Sequence, residues 1–463
     1  VLPLPIADGV CREAVAAEIR RHAARPLFAA ARVGVFARQG DHVAVNLAGD
    51  RRFIPASLVK LATTAAAWRQ LGPHYQIKTR VWGDRHPDTS GTVPRIWVEG
   101  QGDPQLTSAD LLGLARQLRR RGVRRILASG LTTPLRGSGM APSWEVGDVQ
   151  AYYGAIAHGL TVDGNAILWN VRPGVLGQPL VWTWEQPADG WQVENLSRSV
   201  PKGEPDTLVV DRHPSQERMT LTGTLPVDRP PVLGGVAVPQ PQETFRRHWH
   251  RALAQTYGAA PPGIDGGEPT PRNALVLLAE HNAPPLHSLI ATTNQDSDNL
   301  HAELLLRHLG HHRDPQAPDH GTAGLAAVEQ FWRSQGISPQ QMHLADGSGL
   351  SRHNLITPRA LVTILSRMQE DPSLRSTLAI AGQSGTLKTR SFTIPGRLQG
   401  KTGTASGIST LAGYVTPSEG QPEITFAIVV NHSSATTAQD RELIAAIVHQ
   451  LSRLASPRCG NPK

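Results

Sequence analysis

The sequence predicts an α/β (α+β) fold, a central antiparallel sheet flanked by helices that carries a large, mostly β inserted module. Three observations lead there. Both ends of the chain alternate strands with a helix, the segment from about 76 to 238 changes character, and 463 residues at 39% hydrophobic content fill two or three domains at about 150 residues each. No run reaches the roughly 18 apolar residues that a membrane span needs. The numbering starts at Val1, so an export leader is expected to have been removed or left out.

The elements follow in order. A helix is predicted from about Glu13 to Ala24, then two strands, "ARVGVFAR" and "HVAVNLA", split by the turn "QGD". Pro55 opens a further helix that holds Ser57 and Lys60. From about Gln76 to Val238 come short strands, many Pro and Gly, a cluster of tryptophans from Trp144 to Trp191, and "RIWVEGQGDPQLTSADLLGLARQL", a strand, a turn and a helix. This reads as an inserted module of two nested subdomains. Its "GQGDP" lacks the lysine and hydroxyl of a phosphate loop, so it is a strand-to-helix turn. The C-terminal part offers three successive antiparallel strands in "GRLQGKTGTA", "STLAGYV" and "EITFAIVVN", with "PSEG" as a hairpin turn. A last helix, from about Asp440 to Leu454, sets Leu443, Ile444, Ile447, Val448 and Leu451 on one face, to be packed on those strands. Residues 1–75 and 239–463 are therefore expected to form one domain interrupted by 76–238.

The net charge of +8 and pI near 9.9 favour polyanions in general. Charged residues are only 18% of the chain and form no long basic run, which argues against nucleic acid; "RQLRRRGVRR" fits the solvated face of a helix. At most a peripheral membrane contact is expected. Cys11 and Cys459, near opposite ends, have no partners at metal-ligand spacing, so no metal site is expected. They form a candidate disulfide, which would suit an oxidising, extracytoplasmic compartment.

Six lysines stand against forty arginines. Arginine is this chain's default cation, so a retained lysine invites the question whether its proton must come off, which guanidinium cannot do. A serine hydroxyl needs a neighbouring base. With Ser57 as the first helical residue, Lys60 lies one turn on, on the same face. Leu58, Val59, Leu61 and Ala62 would desolvate its amine and lower its pKa. The tetrapeptide alone is weak: "SVPK", Ser199 to Lys202, repeats it, with Pro201 blocking the helical pairing. The other motifs strengthen it. "TNQDSDNLHAELLL" sets Ser297, Asp298 and Asn299 at the head of an apolar helix, and "GKTGTASG" sets Lys401, Thr402 and Gly403 on a strand. The order SxxK, SDN, KTG is the set used by serine acyl-transfer enzymes.

On these motifs the chain resembles the class C low-molecular-mass penicillin-binding proteins, of the D-alanyl-D-alanine carboxypeptidase and endopeptidase type, with a penicillin-binding transpeptidase-like catalytic domain. "SWEVGDVQAYYGA", "EHNAPPLHSLIATTNQDSDNLHAELLL", "DGSGLSRHNLITP", "GTLKTR" and "LQGKTGTASGISTLAGYV" look like that family's blocks in their usual order. The resemblance implies Ser57 as nucleophile, Lys60 as its base, Ser297 as proton relay to the departing amine, and Asn299 as holder of the acyl-side amide. It implies an oxyanion hole from the backbone N–H groups of Ser57 and Thr404, and a substrate wall of Thr402, Gly403 and Thr404. Asp298 is expected to be structural. Lys401 would press the Lys60 pKa down while attracting the substrate carboxylate.

The resemblance also implies that Asp148 and Tyr153 bind the amine and carboxylate end of a meso-diaminopimelate side chain, with Arg352 as a neighbouring contact. Ala405 departs from the family, which usually carries a larger side chain there. Expected partners are peptidoglycan stem peptides and β-lactams as covalent inhibitors, with no cofactor and a periplasmic or otherwise extracytoplasmic location. The alternatives are a β-lactamase or esterase on the same scaffold, or a non-catalytic wall-binding protein.

Overall fold

The computed structural model describes residues 10–263, 274–390, 392, 394, 397–417 and 422–456. The chain divides into two compact units. One comprises Val1–Tyr75, Pro285–Asp314 and Gly321–Lys463, the other Gln76–Pro284 and Pro315–His320.

The first unit is built on six strands: β1 (Arg32–Gln39), β2 (His42–Leu47), β3 (Ala379–Ile380), β4 (Leu398–Ala405), β5 (Ile408–Val415) and β6 (Ile424–Asn431). Their order is β3-β4-β5-β6-β1-β2, and every neighbouring pair is antiparallel. The two ends of the chain thus share one sheet, as the pattern of the sequence predicts. Its helices are α1 (Arg12–Ala23), α2 (Val59–Leu71), α3 (Leu286–Gln295), α4 (Asn299–Arg313), α5 (Pro358–Gln369) and α6 (Thr437–Ser452).

All eight residues of β5 and of β6 are buried, because the sheet is covered on both faces. Phe426, Ile428 and Val430 share a core with Val15 and Ile19 of α1 and with Leu443, Ile444, Ile447, Val448 and Leu451 of α6. The α6 stripe therefore packs inside the protein, each such side chain contributing roughly 1.5–3 kcal/mol by burial. Ala427 and Val429, which point to the other face, join Ala412 and Tyr414 against α2 and α5. There the Tyr414 hydroxyl donates to the Leu365 carbonyl at 2.6 Å. A capping box of Thr436 and Gln439 starts α6. The expected turn "PSEG" has residues 418–420 outside the described set, though the β5–β6 pairing it would close is present. The short parallel pairing of Val10–Cys11 with Leu454–Ser456 brings the described ends together; Cys459 lies outside the described residues.

The second unit has two separate cores. In one, a sheet runs in the order Val276–Asn282, Lys78–Gly83, Thr92–Gly100, Arg125–Thr132. Its last pair is parallel, bridged by the helix Ser108–Arg120. In the other, two three-stranded sheets enclose Trp169, Met219 and Leu221. The sequence boundary at 238 falls short: the chain stays in this unit to Pro284. The helix Pro241–Tyr257 buries Phe245, Trp249 and Leu253 in the first of these cores, and Val276–Asn282 is an outer strand of its sheet. An amphipathic helix and a strand near a boundary carry no signal of which core they will enter.

Candidate active site

The polypeptide enters α2 through a tight turn. Pro55 precedes Ala56, whose φ of +48° is unusual for a residue with a Cβ, and Ala56–Leu58 form a single 3₁₀ turn that runs directly into α2. The expectation that Ser57 is the first α-helical residue is corrected to this turn. With three residues per turn, positions i and i+3 eclipse, which sets Lys60 directly over Ser57: the Lys60 Nζ donates to the Ser57 Oγ at 3.0 Å.

Every residue of α2 from Val59 to Trp68 is buried, and Lys60 is 0% exposed. Its Nζ also donates to Asn299 Oδ1 at 2.6 Å and to the Ser348 carbonyl at 2.6 Å, which gives the ammonium its full set of three acceptors. Burial lowers its pKa to about 8, opposed by the charges of Asp346, Asp298 and Glu303. Burial, and not the expected second lysine, is what lowers it.

That second lysine, Lys401 of β4, is also 0% exposed. It donates to the Ser297 Oγ and to the Thr402 carbonyl, both at 2.8 Å. Burial first, then the Lys60 and Arg390 charges, hold its pKa well below the usual lysine range, with Asp296 opposing. Ser297 has φ +65°, a left-handed kink between α3 and α4. Asp298 N-caps α4 by accepting from His301 N at 2.9 Å, the structural role expected of it. Asn299 is the first residue of α4.

The β4 strand passes close to the serine. Among the described residues only Gln399 and Gly400 pair with β3, and from Lys401 onward the outer edge has no neighbouring strand among them. Strand β4 is thus second in the sheet, with a free edge only over its C-terminal part. A Cβ on Gly403 would stand 2.4 Å from Thr410 Oγ1 and 2.9 Å from the Ser57 amide nitrogen; only glycine allows this approach. Thr404 is exposed, and the Thr402 hydroxyl donates to that of Thr386 at 2.7 Å. Arg352 donates from Nη1 to the Ser406 carbonyl at 3.2 Å, next to Ala405 at the end of β4.

Asp148 and Tyr153 belong to the second unit. They lie on two successive 3₁₀ turns, Asp148–Gln150 and Tyr152–Gly154, folded so tightly that a Cβ on Gly154 would meet the Asp148 carbonyl at 1.9 Å. The buried Arg212 donates to the Val149 carbonyl at 2.7 Å. Burial, then Asp148, raises the Tyr153 pKa.

Sequence reasoning missed Ser348, Asp346 and Glu303. Glu303 had a signal, a carboxylate one helical turn beyond Asn299 in the otherwise apolar "NLHAELLL". The Ser348 carbonyl, a main-chain acceptor, had none.

A serine hydroxyl within hydrogen-bond reach of a desolvated amine, with a second buried amine holding another serine, defines a serine hydrolase of the acyl-transfer class. The model of the D-Ala-D-Ala carboxypeptidase 3 (S13) family matches residues 15–454, and the chain belongs to that family. Among its relatives is the D-alanyl-D-alanine carboxypeptidase of Actinomadura sp. (strain R39), 30% identical over 419 residues, which span 86% of this chain and 77% of that protein. Another, the D-alanyl-D-alanine carboxypeptidase DacB of Haemophilus influenzae, is 25% identical over 433 residues, 88% of this chain and 86% of its own. The crystal structure of penicillin binding protein 4 from Haemophilus influenzae shares the fold at a TM-score of 0.81 and 22% identity, covering 94% of this chain and 98% of that one. Its complex with a β-lactam gives 0.77 at 23% identity, covering 94% and 99%. The present chain is accordingly a serine DD-peptidase.

Proposed function

We propose that this DD-peptidase acts on peptidoglycan stem peptides outside the cytoplasm, with Ser57 as nucleophile and neutral Lys60 as general base. The observation that carries the reading is the contact of 3.0 Å between the Lys60 Nζ and the Ser57 Oγ, on an amine whose pKa burial lowers to about 8. Ser57 attacks the carbonyl of the penultimate D-alanine while Lys60 takes its proton. The tetrahedral oxyanion accepts from the backbone N–H groups of Ser57 and Thr404, donors worth about 3 to 4 kcal/mol each. Ser297, already bonded to Lys401, passes a proton to the departing amine, and water then releases the acyl group from Ser57.

Lys401 receives the substrate's C-terminal carboxylate. An anion arriving beside a desolvated amine favours its charged form, so carboxylate binding and a proton on Lys401 support each other. Thr402, Gly403 and Thr404 line the strand along which the peptide lies, and Asn299 holds the acyl-side amide. Asp148 and Tyr153, within the second unit, offer a carboxylate and a phenol suited to the free end of a meso-diaminopimelate side chain, a carboxylate facing an ammonium. β-Lactams acylate Ser57 through the same steps. Incubation with a stem pentapeptide and, separately, with a labelled penicillin tests the reading. Release of D-alanine and a stable adduct on Ser57 support it. Rapid turnover of the penicillin without D-alanine release would instead make the protein a β-lactamase.

A further inference from the structure

Two buried carboxylates stand behind the catalytic lysine, and the reaction as described does not use them. Glu303 lies four residues after Asn299 on α4, hence on the same face, and is 6% exposed. Its Oε1 accepts from the backbone N–H of Gly347 at 2.9 Å and of Ser348 at 2.8 Å. Asp346, 1% exposed, holds the other side of the same turn. It accepts from the N–H of Gly349 at 2.7 Å and of Ser351 at 2.6 Å, and from Asn354 Nδ2 at 2.8 Å. The turn is pressed against the nucleophile: Gly349 has φ +85°, and a Cβ there would stand 2.0 Å from the Ala56 carbonyl. From this clamped turn the Ser348 carbonyl projects onto the Lys60 Nζ. One face of α4 therefore fixes two of the three Lys60 acceptors, Asn299 directly and Ser348 through the Glu303 carboxyl.

From this geometry we infer that Glu303 is a positioning residue for Lys60: its carboxyl locks the Ser348 carbonyl onto the amine, and its charge is one of those that the amine faces. Burial and the neighbouring Asp346 raise the Glu303 pKa to about 8, against the lowering hydrogen bonds from Ser348 and Gly347. Lys60 and Glu303 thus release their protons in the same range and compete. A proton lost from Glu303 leaves an anion that holds the proton on Lys60. The titratable groups near the pair are Asp346 on the turn, Asp298 at the head of α4 and Lys401 on β4, with His301 and Arg307 on α4 itself. Glu329 accepts from Leu344 N at the approach to the turn.

The inference rests on Lys60 acting as base for Ser57, and the test separates the two. The rate of penicillin adduct formation on Ser57 is measured by mass for the wild type, Glu303→Gln and Glu303→Ala, between about pH 6 and pH 10. Glu303→Gln keeps an oxygen for the two N–H groups and abolishes ionisation. The midpoint of its rate profile should move to lower pH by roughly 1 unit. Glu303→Ala frees the turn and should lose roughly 10²-fold at every pH; where it does not fold, the glutamine variant decides alone. A purely structural glutamate would change the height of the profile and leave its midpoint in place. A Glu303→Gln midpoint that coincides with the wild type overturns this inference alone, whereas a wild type that takes no adduct on Ser57 overturns the reading beneath it.

Discussion

At the scale of residues, the molecule keeps two ammonium groups out of water within one unit, which costs stability wherever they carry charge. Desolvation disfavours the protonated form, so the fraction of neutral Lys60 rises as pH rises through about 8. Acylation of Ser57 should therefore climb about tenfold per pH unit below that value and level off above it, a profile that stopped-flow acylation with a chromogenic β-lactam reads directly. Replacing Ser297 by alanine removes the hydroxyl that Lys401 holds. Peptide turnover should fall by about 10² to 10⁴, measured as D-alanine release, while the folded protein keeps its circular dichroism spectrum. The sequence made Ser57, Lys60, Ser297 and Lys401 legible because their short motifs occur in a characteristic order. Glu303 escaped because its partners are the main-chain amides of Gly347 and Ser348, and no spacing in one sequence reveals which distant turn a carboxylate will clamp.

At the scale of elements, the site depends on close approach of backbone to backbone. Strand β4 can lie against the 3₁₀ turn of Ser57 because position 403 has no side chain. Gly403→Ala should push the strand and the Ser57 amide apart. It should slow acylation by one to two orders of magnitude, about 10- to 100-fold for a displacement of this kind, with a smaller effect on thermal unfolding; paired acylation and melting measurements check both. Strands β1, β2, β4, β5 and β6 and helices α1, α2, α4 and α6 were readable from apolar runs, turn residues and helical patterns, with β6 rich in β-branched residues and α6 bearing a clean apolar stripe, whereas β3, α3 and α5 were not predicted. The 3₁₀ turn before α2 was not, because Ala56 adopts its left-handed conformation under tertiary packing rather than by propensity. The exit of the inserted module was misplaced for a related reason. The apolar face of Pro241–Tyr257 is as suited to one core as to the other, and only the neighbours present decide.

At the scale of the whole molecule, the chain runs out of its first unit at Tyr75 and returns at Pro285, so SxxK and SDN, far apart in sequence, meet only once both segments have packed. The pairing of Val10–Cys11 with Leu454–Ser456 ties the described ends of that unit. A Cys11–Cys459 bridge would reinforce it by about 2–5 kcal/mol. Denatured, unreduced protein should then take up no maleimide, and reduction should lower the melting temperature; two free thiols per chain would refute the bridge. The order of family blocks made the class of enzyme legible, and folding supplied what the order could not, the shared surroundings of the two lysines. The central claim is that an uncharged Lys60 activates Ser57. Peptide mapping of the penicillin adduct, timed across pH for the wild type and Lys60→Ala, tests it most directly. The account predicts an adduct on the peptide containing Ser57, formed faster as pH passes about 8 and lost in the variant. An adduct on another serine, or one that forms on Ser57 equally fast without Lys60, would contradict it.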